Sequence, residues 1–150
     1  MTSVQFAQKA VVTLGNKILL VRKSAEDPNR PGKWDLPGGR MKPGEDVDKH
    51  LAREVLEETG LRVTPGKLID LWSWHMPWDG GYVQVLAVSR YCRLDRAEAG
   101  QACREPDDYL AEQRWFTLAE VRDLDIIPSQ WRTIDLVLED LAPWLPARRS

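Results

Sequence analysis

Hydrophobic and polar positions follow two different periods along the chain. Ala10 to Thr13 and Lys17 to Arg22 are apolar and β-branched runs separated by Gly15-Asn16, which predicts a hairpin joining two antiparallel strands. Residues 24–33 are polar and contain Pro28 and Pro31, so they predict a loop, followed by a short strand and a tight turn over Trp34-Asp35-Leu36-Pro37-Gly38-Gly39. The period then lengthens. Asp46 is a good N-cap, helix formers follow, and Gly60 is a stop signal, which together predict a helix over about 47–59. Val47, Leu51, Ala52 and Val55 would form its apolar side, with Arg53, Glu54, Glu57 and Glu58 crowding the other.

Residues 62–74 and 82–94 read as long strands, joined by an aromatic loop over 75–81. Residues 95–111 are charged and irregular, 113–117 read as a strand and 118–123 as a short helix. A last helix is predicted from about Pro128 to Leu141 through Ile134, Val137 and Leu138. Strands, helix, strands and helix without an internal repeat predict an α/β fold, a mixed sheet covered by helices on two faces, in a single domain over residues 1–150.

Composition narrows the function classes. At 150 residues, with 43% hydrophobic and 29% charged residues, the chain can bury a core of its own. Its 21 Lys and Arg nearly balance 23 Asp and Glu, so it has no basic field for DNA or RNA and no nucleic-acid partner is expected. Cys92 and Cys103 form no metal-ligand spacing and read as reduced thiols. With no leader and no run of about 18 apolar residues, no membrane partner is expected and the expected location is cytoplasmic.

The chemistry is concentrated in the central helix. Glu54, Glu57 and Glu58 stand at i, i+3 and i+4, so their side chains leave one helix face. Glu54 and Glu58 are a like-charge pair, destabilising by a few tenths of a kcal/mol, at about the 0.3 level, in an isolated helix. Arg53 can pair with Glu57, but one guanidinium cannot neutralise three acids. Hard divalent ions held through carboxylate oxygens are the usual answer, Mg²⁺ first and Mn²⁺ as a substitute. By itself such a spacing also fits a solvated acidic face. Upstream, Gly38-Gly39 offers a bare backbone for close approach to a ligand, and Glu45 can reach back to Arg53.

Taken together, Gly39, Glu45, Arg53-Glu54-Val55, Glu57-Glu58 and Gly60-Leu61 match every specified position of the signature called the Nudix box, with a chance expectation on the order of 10⁻⁸. The resemblance continues through Gly32-Lys33-Trp34 and Leu36-Pro37-Gly38-Gly39 before the box, and through Arg114-Trp115-Phe116 and Glu120-Val121 after it, with residues 95–111 unmatched. It implies an α/β/α sandwich and an enzyme that uses water to cut a diphosphate bond in a small nucleotide-like molecule. It further implies Glu54, Glu57 and Glu58 as metal ligands joined by the Gly39 carbonyl, with Arg53 and Glu45 orienting them through charge-assisted hydrogen bonds. Glu54 is the expected general base. Glu112 is preferred over Glu105 as an auxiliary metal ligand and substrate contact.

For the substrate, Gly38, Gly39 and the loop residue Trp78 are the expected contacts, with Trp72 and Trp74 divided between stacking a base and packing the core. His50 and His75 read as surface or structural residues. Pro77, sixteen residues after Leu61, resembles a placement in ADP-ribose hydrolases of the family, but the chain opens almost at its first strand, which favours a compact enzyme acting on nucleoside triphosphates. ADP-ribose or nucleotide-sugar cleavage and non-catalytic nucleotide binding are the alternatives. A monomer or homodimer fits either reading.

Overall fold

The computed structural model describes residues 3–96, 100–105 and 108–141. Its elements are strands β1 (Ser3–Leu14), β2 (Lys17–Lys23), β3 (Trp34–Asp35) and β4 (Gly38–Arg40), helix α1 (Val47–Thr59), strands β5 (Val63–Trp78), β6 (Gly81–Leu94) and β7 (Leu110–Thr117), and helices α2 (Leu118–Val121) and α3 (Trp131–Leu141). A 3₁₀ turn over Pro128–Gln130 leads into α3. The strands form one seven-stranded mixed sheet in the order β3-β2-β1-β6-β5, with β4 on β1 and β7 on β2.

The predicted hairpin turns at Gly15-Asn16, but β1 starts at Ser3 and pairs with β2 at only two positions. Most of its length runs parallel to β6, from Ser3 against Val83 to Val12 against Cys92, and Ala7 to Lys9 pair with β4. Strand β1 therefore leaves β2 early, and the sheet opens between them where β4 and α1 meet it.

Alternate residues of a strand face opposite sides, and the two sides bury different helices. Ala10, Val12, Leu19 and Cys92 pack with Leu51, Val55 and Leu61 around α1. Val11, Ile18, Leu20 and Phe116 pack with Ile134, Val137 and Leu138 of α3. This is the expected sandwich, an α/β fold with helices on two faces.

Helix α1 ends where its local signals put it. Asp46 accepts from the amides of Asp48 and Lys49, and Gly60 closes the helix in the left-handed region at φ 75°. Val47, expected on the buried side, is 46% exposed, whereas His50 is fully buried. The aromatic loop over 75–81 is corrected to strand: β5 continues to Trp78, which pairs with Gly81 across a turn at Asp79-Gly80. No helix among the described residues is long and apolar enough to cross a membrane.

Candidate functional site

The site forms where the second half of α1 crosses the opening between β1 and β2, beside β4. Arg53 makes a two-bond fork to Glu45, Nε to Oε2 and Nη2 to Oε1, both 2.7 Å, and its Nη1 donates to both Glu57 oxygens at 3.1 and 3.2 Å. Those hydrogen bonds, with one from the Lys42 amide, hold the Glu45 carboxyl at a pKa of about 2. Arg53 thus joins Glu45, ahead of the helix, to Glu57 on it.

Glu54 and Glu58 lie on the inner side of the helix. Glu54 is pressed against the Gly39 backbone so closely that a Cβ at residue 39 would stand 2.9 Å from its Oε2. A side chain there would displace the carboxylate. Gly38 has φ 144°, and a Cβ on it would run into the Gln8 carbonyl; its amide donates 3.2 Å to Glu58 Oε2. Burial pushes the Glu58 carboxyl up to about 8 despite nearby Lys9, and burial also raises Glu54.

Lys9 is the cation on this inner side, and nothing in the box signature points to it. Its Nζ donates to Asp35 Oδ2 at 3.0 Å and to the Leu36 carbonyl at 3.2 Å. Burial works against its charge, but Asp35, Glu58 and Glu54 outweigh that and raise its pKa. One ammonium thus faces three carboxylates in a region where unbalanced charge is expensive.

The segment after β6 ties down the end of the helix. The Gly100 amide donates to Gly60 O, Cys103 N to Glu57 O and Arg104 Nε to Glu58 O, at 2.8 to 2.9 Å. It also carries Asp108, whose charge adds to the raising of Glu54. Glu105 belongs to the same turn, with its amide donating 3.1 Å to Asp108 Oδ2.

Glu112 is not brought to this cluster. It alternates with Gln113 along β7: Gln113 reaches Thr59 O of α1 at 2.8 Å, so Glu112 faces the other side of the sheet. There it pairs with Arg22 at 3.3 Å and Arg114 at 3.1 Å. Of the two glutamates weighed from the sequence, Glu105 is the one on the segment that straps α1.

On the α3 side, residues paired across β1, β6 and β5 form rows: Lys9, Ser89 and Asp70; then Ala7, Ala87 and Trp72; then Gln5, Val85 and Trp74. Thr133 bonds Ser89 at 2.7 Å and Asp140 bonds Tyr91 at 2.9 Å. Helix α3 therefore runs away from the Trp72 row, and Gln130, one turn earlier, lies towards it. Gln5 Oε1, Trp72 Nε1 and Gln130 Oε1 are buried without a hydrogen-bond partner in the chain. Trp72 is 8% exposed and packs with Ala7, Val85 and Ala87. Trp78 points to the same sheet face but stands six residues further along β5, about 20 Å away at strand rise, and is 61% exposed. It is not brought to the cluster. His75 stacks edge-on with Tyr82 at 5.3 Å, away from the acids.

The donor set suits a divalent cation. Carboxylate oxygens and a bare glycine backbone are hard ligands of the kind Mg²⁺ and Mn²⁺ take, and burial makes the Glu54 and Glu58 carboxyls costly to ionise without a further cation. Among the described residues no three acidic, His or Cys side chains converge on one point, because Glu57 is turned to Arg53 and Glu58 to the Gly38 amide.

Comparison with known proteins agrees with this geometry. An uncharacterized Nudix hydrolase of Bacillus subtilis is 25% identical over 139 residues, 93% of this chain and 82% of that one. A CTP pyrophosphohydrolase of Escherichia coli is 27% identical over 128 residues, 77% of this chain and 94% of its own. A crystal structure of a MutT protein from Methanosarcina mazei superposes with a TM-score of 0.71 over 93% of this chain and 96% of that one, at 24% identity, and so shares the fold. The model of the NUDIX domain matches residues 5–137, and the chain belongs to the Nudix family as a MutT-like pyrophosphohydrolase acting on nucleotide derivatives.

Proposed function

We propose that the protein is a Mg²⁺-dependent nucleoside triphosphate pyrophosphohydrolase, converting a nucleoside triphosphate and water to the monophosphate and pyrophosphate. The observation that carries this reading is the juxtaposition of the Glu54 and Glu58 carboxylates, pressed on Gly38-Gly39, with buried groups that lack partners: Trp72 one strand row and Gln5 two rows beyond the row of Lys9, and Gln130 in the turn before α3. Rows of a sheet are about 7 Å apart for same-face neighbours, so the separation suits a base joined to phosphates through one sugar. Trp72 offers an N–H donor, and the two glutamines offer carbonyl acceptors, to the edge of a base. Each such buried group costs about 1–3 kcal/mol when unmet, so a ligand that satisfies them gains affinity.

Glu54, Glu57 and Glu58, with the Gly39 carbonyl, would hold the divalent ions. Bound there, such ions screen the phosphate oxygens and lower the pKa of a water. Arg53 and Glu45 fix the helix face from which the carboxylates reach. Glu54 is assigned as the carboxylate that takes the proton from the attacking water. Lys9 balances part of the charge on Glu58. The naming of the Escherichia coli relative for CTP supports a triphosphate substrate.

The test is a panel with Mg²⁺ covering nucleoside and deoxynucleoside triphosphates, oxidised forms, ADP-ribose, nucleotide sugars and dinucleoside polyphosphates, with products identified by mass spectrometry. Monophosphate and pyrophosphate from a triphosphate are expected to appear fastest. Faster release from ADP-ribose or a nucleotide sugar would move the substrate class, and tight binding of a nucleotide without turnover would make the domain a sensor.

A further inference from the structure

We propose that His50 is a positioning residue for Glu54: Gln8 holds its imidazole as the tautomer protonated on Nε2, and that N–H steadies the carboxylate beside Gly39. The proposal rests on the reading of Glu54 as a metal-binding carboxylate. Both His50 and Gln8 are fully buried.

The tautomer follows from the hydrogen bonds. Val47 O can only accept, and the Gln8 amide atom 2.7 Å from it is therefore the nitrogen. The Gln8 oxygen correspondingly accepts from Arg90 Nη1 at 3.4 Å, and Arg90 is anchored to Asp48 at 2.6 Å. The second hydrogen of the same nitrogen points at His50 Nδ1, 2.9 Å away. Nδ1 must accept, so a neutral His50 carries its proton on Nε2.

Glu54 is the carboxylate within ion-pair distance of that nitrogen, and the charges of Glu45 and Arg53 also act on the ring. Nε2 is buried without a hydrogen-bond partner and lies 3.9 Å from Glu54 Oε1. A small rotation of the Glu54 side chain would close the gap. As filler, a buried imidazole with an unmet N–H and a buried amide beside it are inferior to two apolar residues. The pair is accounted for by what it presents to Glu54. A hydrogen-bonded partner behind a metal ligand fixes which oxygen faces the ion.

Two measurements test this. In the metal-free wild type, long-range ¹H–¹⁵N spectra of the imidazole at neutral pH are expected to show Nε2–H with a bare Nδ1; an Nδ1–H or doubly protonated ring would overturn the proposal. His50→Phe keeps the ring and removes the N–H, and is expected to lower kcat about 10-fold or more, with KM within about twofold, and to weaken Mn²⁺ binding about 10-fold by calorimetry. His50→Gln, which restores an N–H at that reach, is expected to recover to within about threefold at an equal melting temperature. A His50→Phe protein equal to wild type in kcat and Mn²⁺ affinity would sink the idea, as would a His50→Gln protein no better than His50→Phe. If His50→Phe does not fold, Gln8→Met serves instead: loss of the single tautomer with a fall in Mn²⁺ affinity supports the relay, and an unchanged tautomer and affinity overturn it. A wild type inert on every substrate would count against the hydrolase reading, while the spectra and the Mn²⁺ titrations would still decide this one.

Discussion

The two sides of helix α1 handle their carboxylates in opposite ways. On the outer side Glu45 and Glu57 share Arg53 through four hydrogen bonds, partly open to water. On the inner side Glu54 and Glu58 are packed against the Gly38-Gly39 backbone, with Lys9 nearby and Arg53 Nη1 3.4 Å from Glu54, and burial raises both in pKa. The outer network holds two carboxylates on one guanidinium and fixes geometry. The inner pair consists of carboxyls that burial makes costly to ionise, a cost a divalent cation would offset, so the same helix carries the frame and the working charges of the site.

Glu58→Gln tests that division most severely. It keeps the shape and the contact to the Gly38 amide but removes a carboxyl that could give up its proton to a cation. A ligand worth several kcal/mol of charge stabilisation corresponds to about a 10³-fold loss in kcat/KM, while the metal-free protein at pH 8 is expected to melt at a higher temperature because a carboxyl that burial makes costly to ionise is gone. Steady-state kinetics and thermal melts on the same preparation read both effects. Activity retained within about tenfold would break the contrast between the two sides.

The pH dependence of the metal-free protein comes next in size. A carboxyl whose folded pKa lies above its unfolded value keeps its proton better in the folded state, so its contribution to stability is complete below about 4.5 and is lost as pH rises through the folded value. For Glu58 that folded value is about 8, and Glu54 shifts in the same direction. Stability without metal should therefore fall between pH 5 and pH 8, by on the order of 3 kcal/mol or roughly 10 °C in Tm. Saturating Mg²⁺ should raise Tm more at pH 8 than at pH 6, because the cation then meets carboxylates already without protons. Fluorimetric melts in a chelator, with and without added Mg²⁺, check this, and a flat profile would mean that burial imposes no such cost on the inner carboxyls.

How far each side could be read from the chain depends on how local its causes are. The limits of α1 rest on Asp46 and Gly60, each acting within one turn, and the Arg53 to Glu57 contact on i, i+4 spacing, so the frame and the acidic stripe were legible. Lys9, Gln8 and His50 were not, because their partners lie 26 to 42 residues away and meet only when β1 abandons β2 for a parallel pairing with β6. His50 sits beside Leu51 in sequence, and only Gln8 makes a buried polar site of it. The segment 75–81 was misread as a loop for a related reason: Pro77 and Gly80-Gly81 look like loop residues, but β5 is an edge strand and tolerates a proline.

Glu112 sharpens the comparison by supplying a carboxylate that is clamped like the outer pair but far from the work. It lies on β7, held by Arg22 and Arg114 on the side of the sheet opposite α1, and those two guanidinium groups stack near Trp34. Its side chain is 34% exposed, so the pairs count as surface ion pairs worth about 0–1 kcal/mol. Glu112→Gln keeps the shape, and kcat/KM is expected to stay within about threefold, with a stability loss under about 1 kcal/mol. A drop of a hundredfold in kcat/KM, or a loss of Mn²⁺ affinity, would mean that β7 delivers a ligand to the metals after all. The alternation that turns Gln113 towards Thr59 and Glu112 away from it would then have to break when substrate binds, and the division between frame and working charges would extend beyond α1.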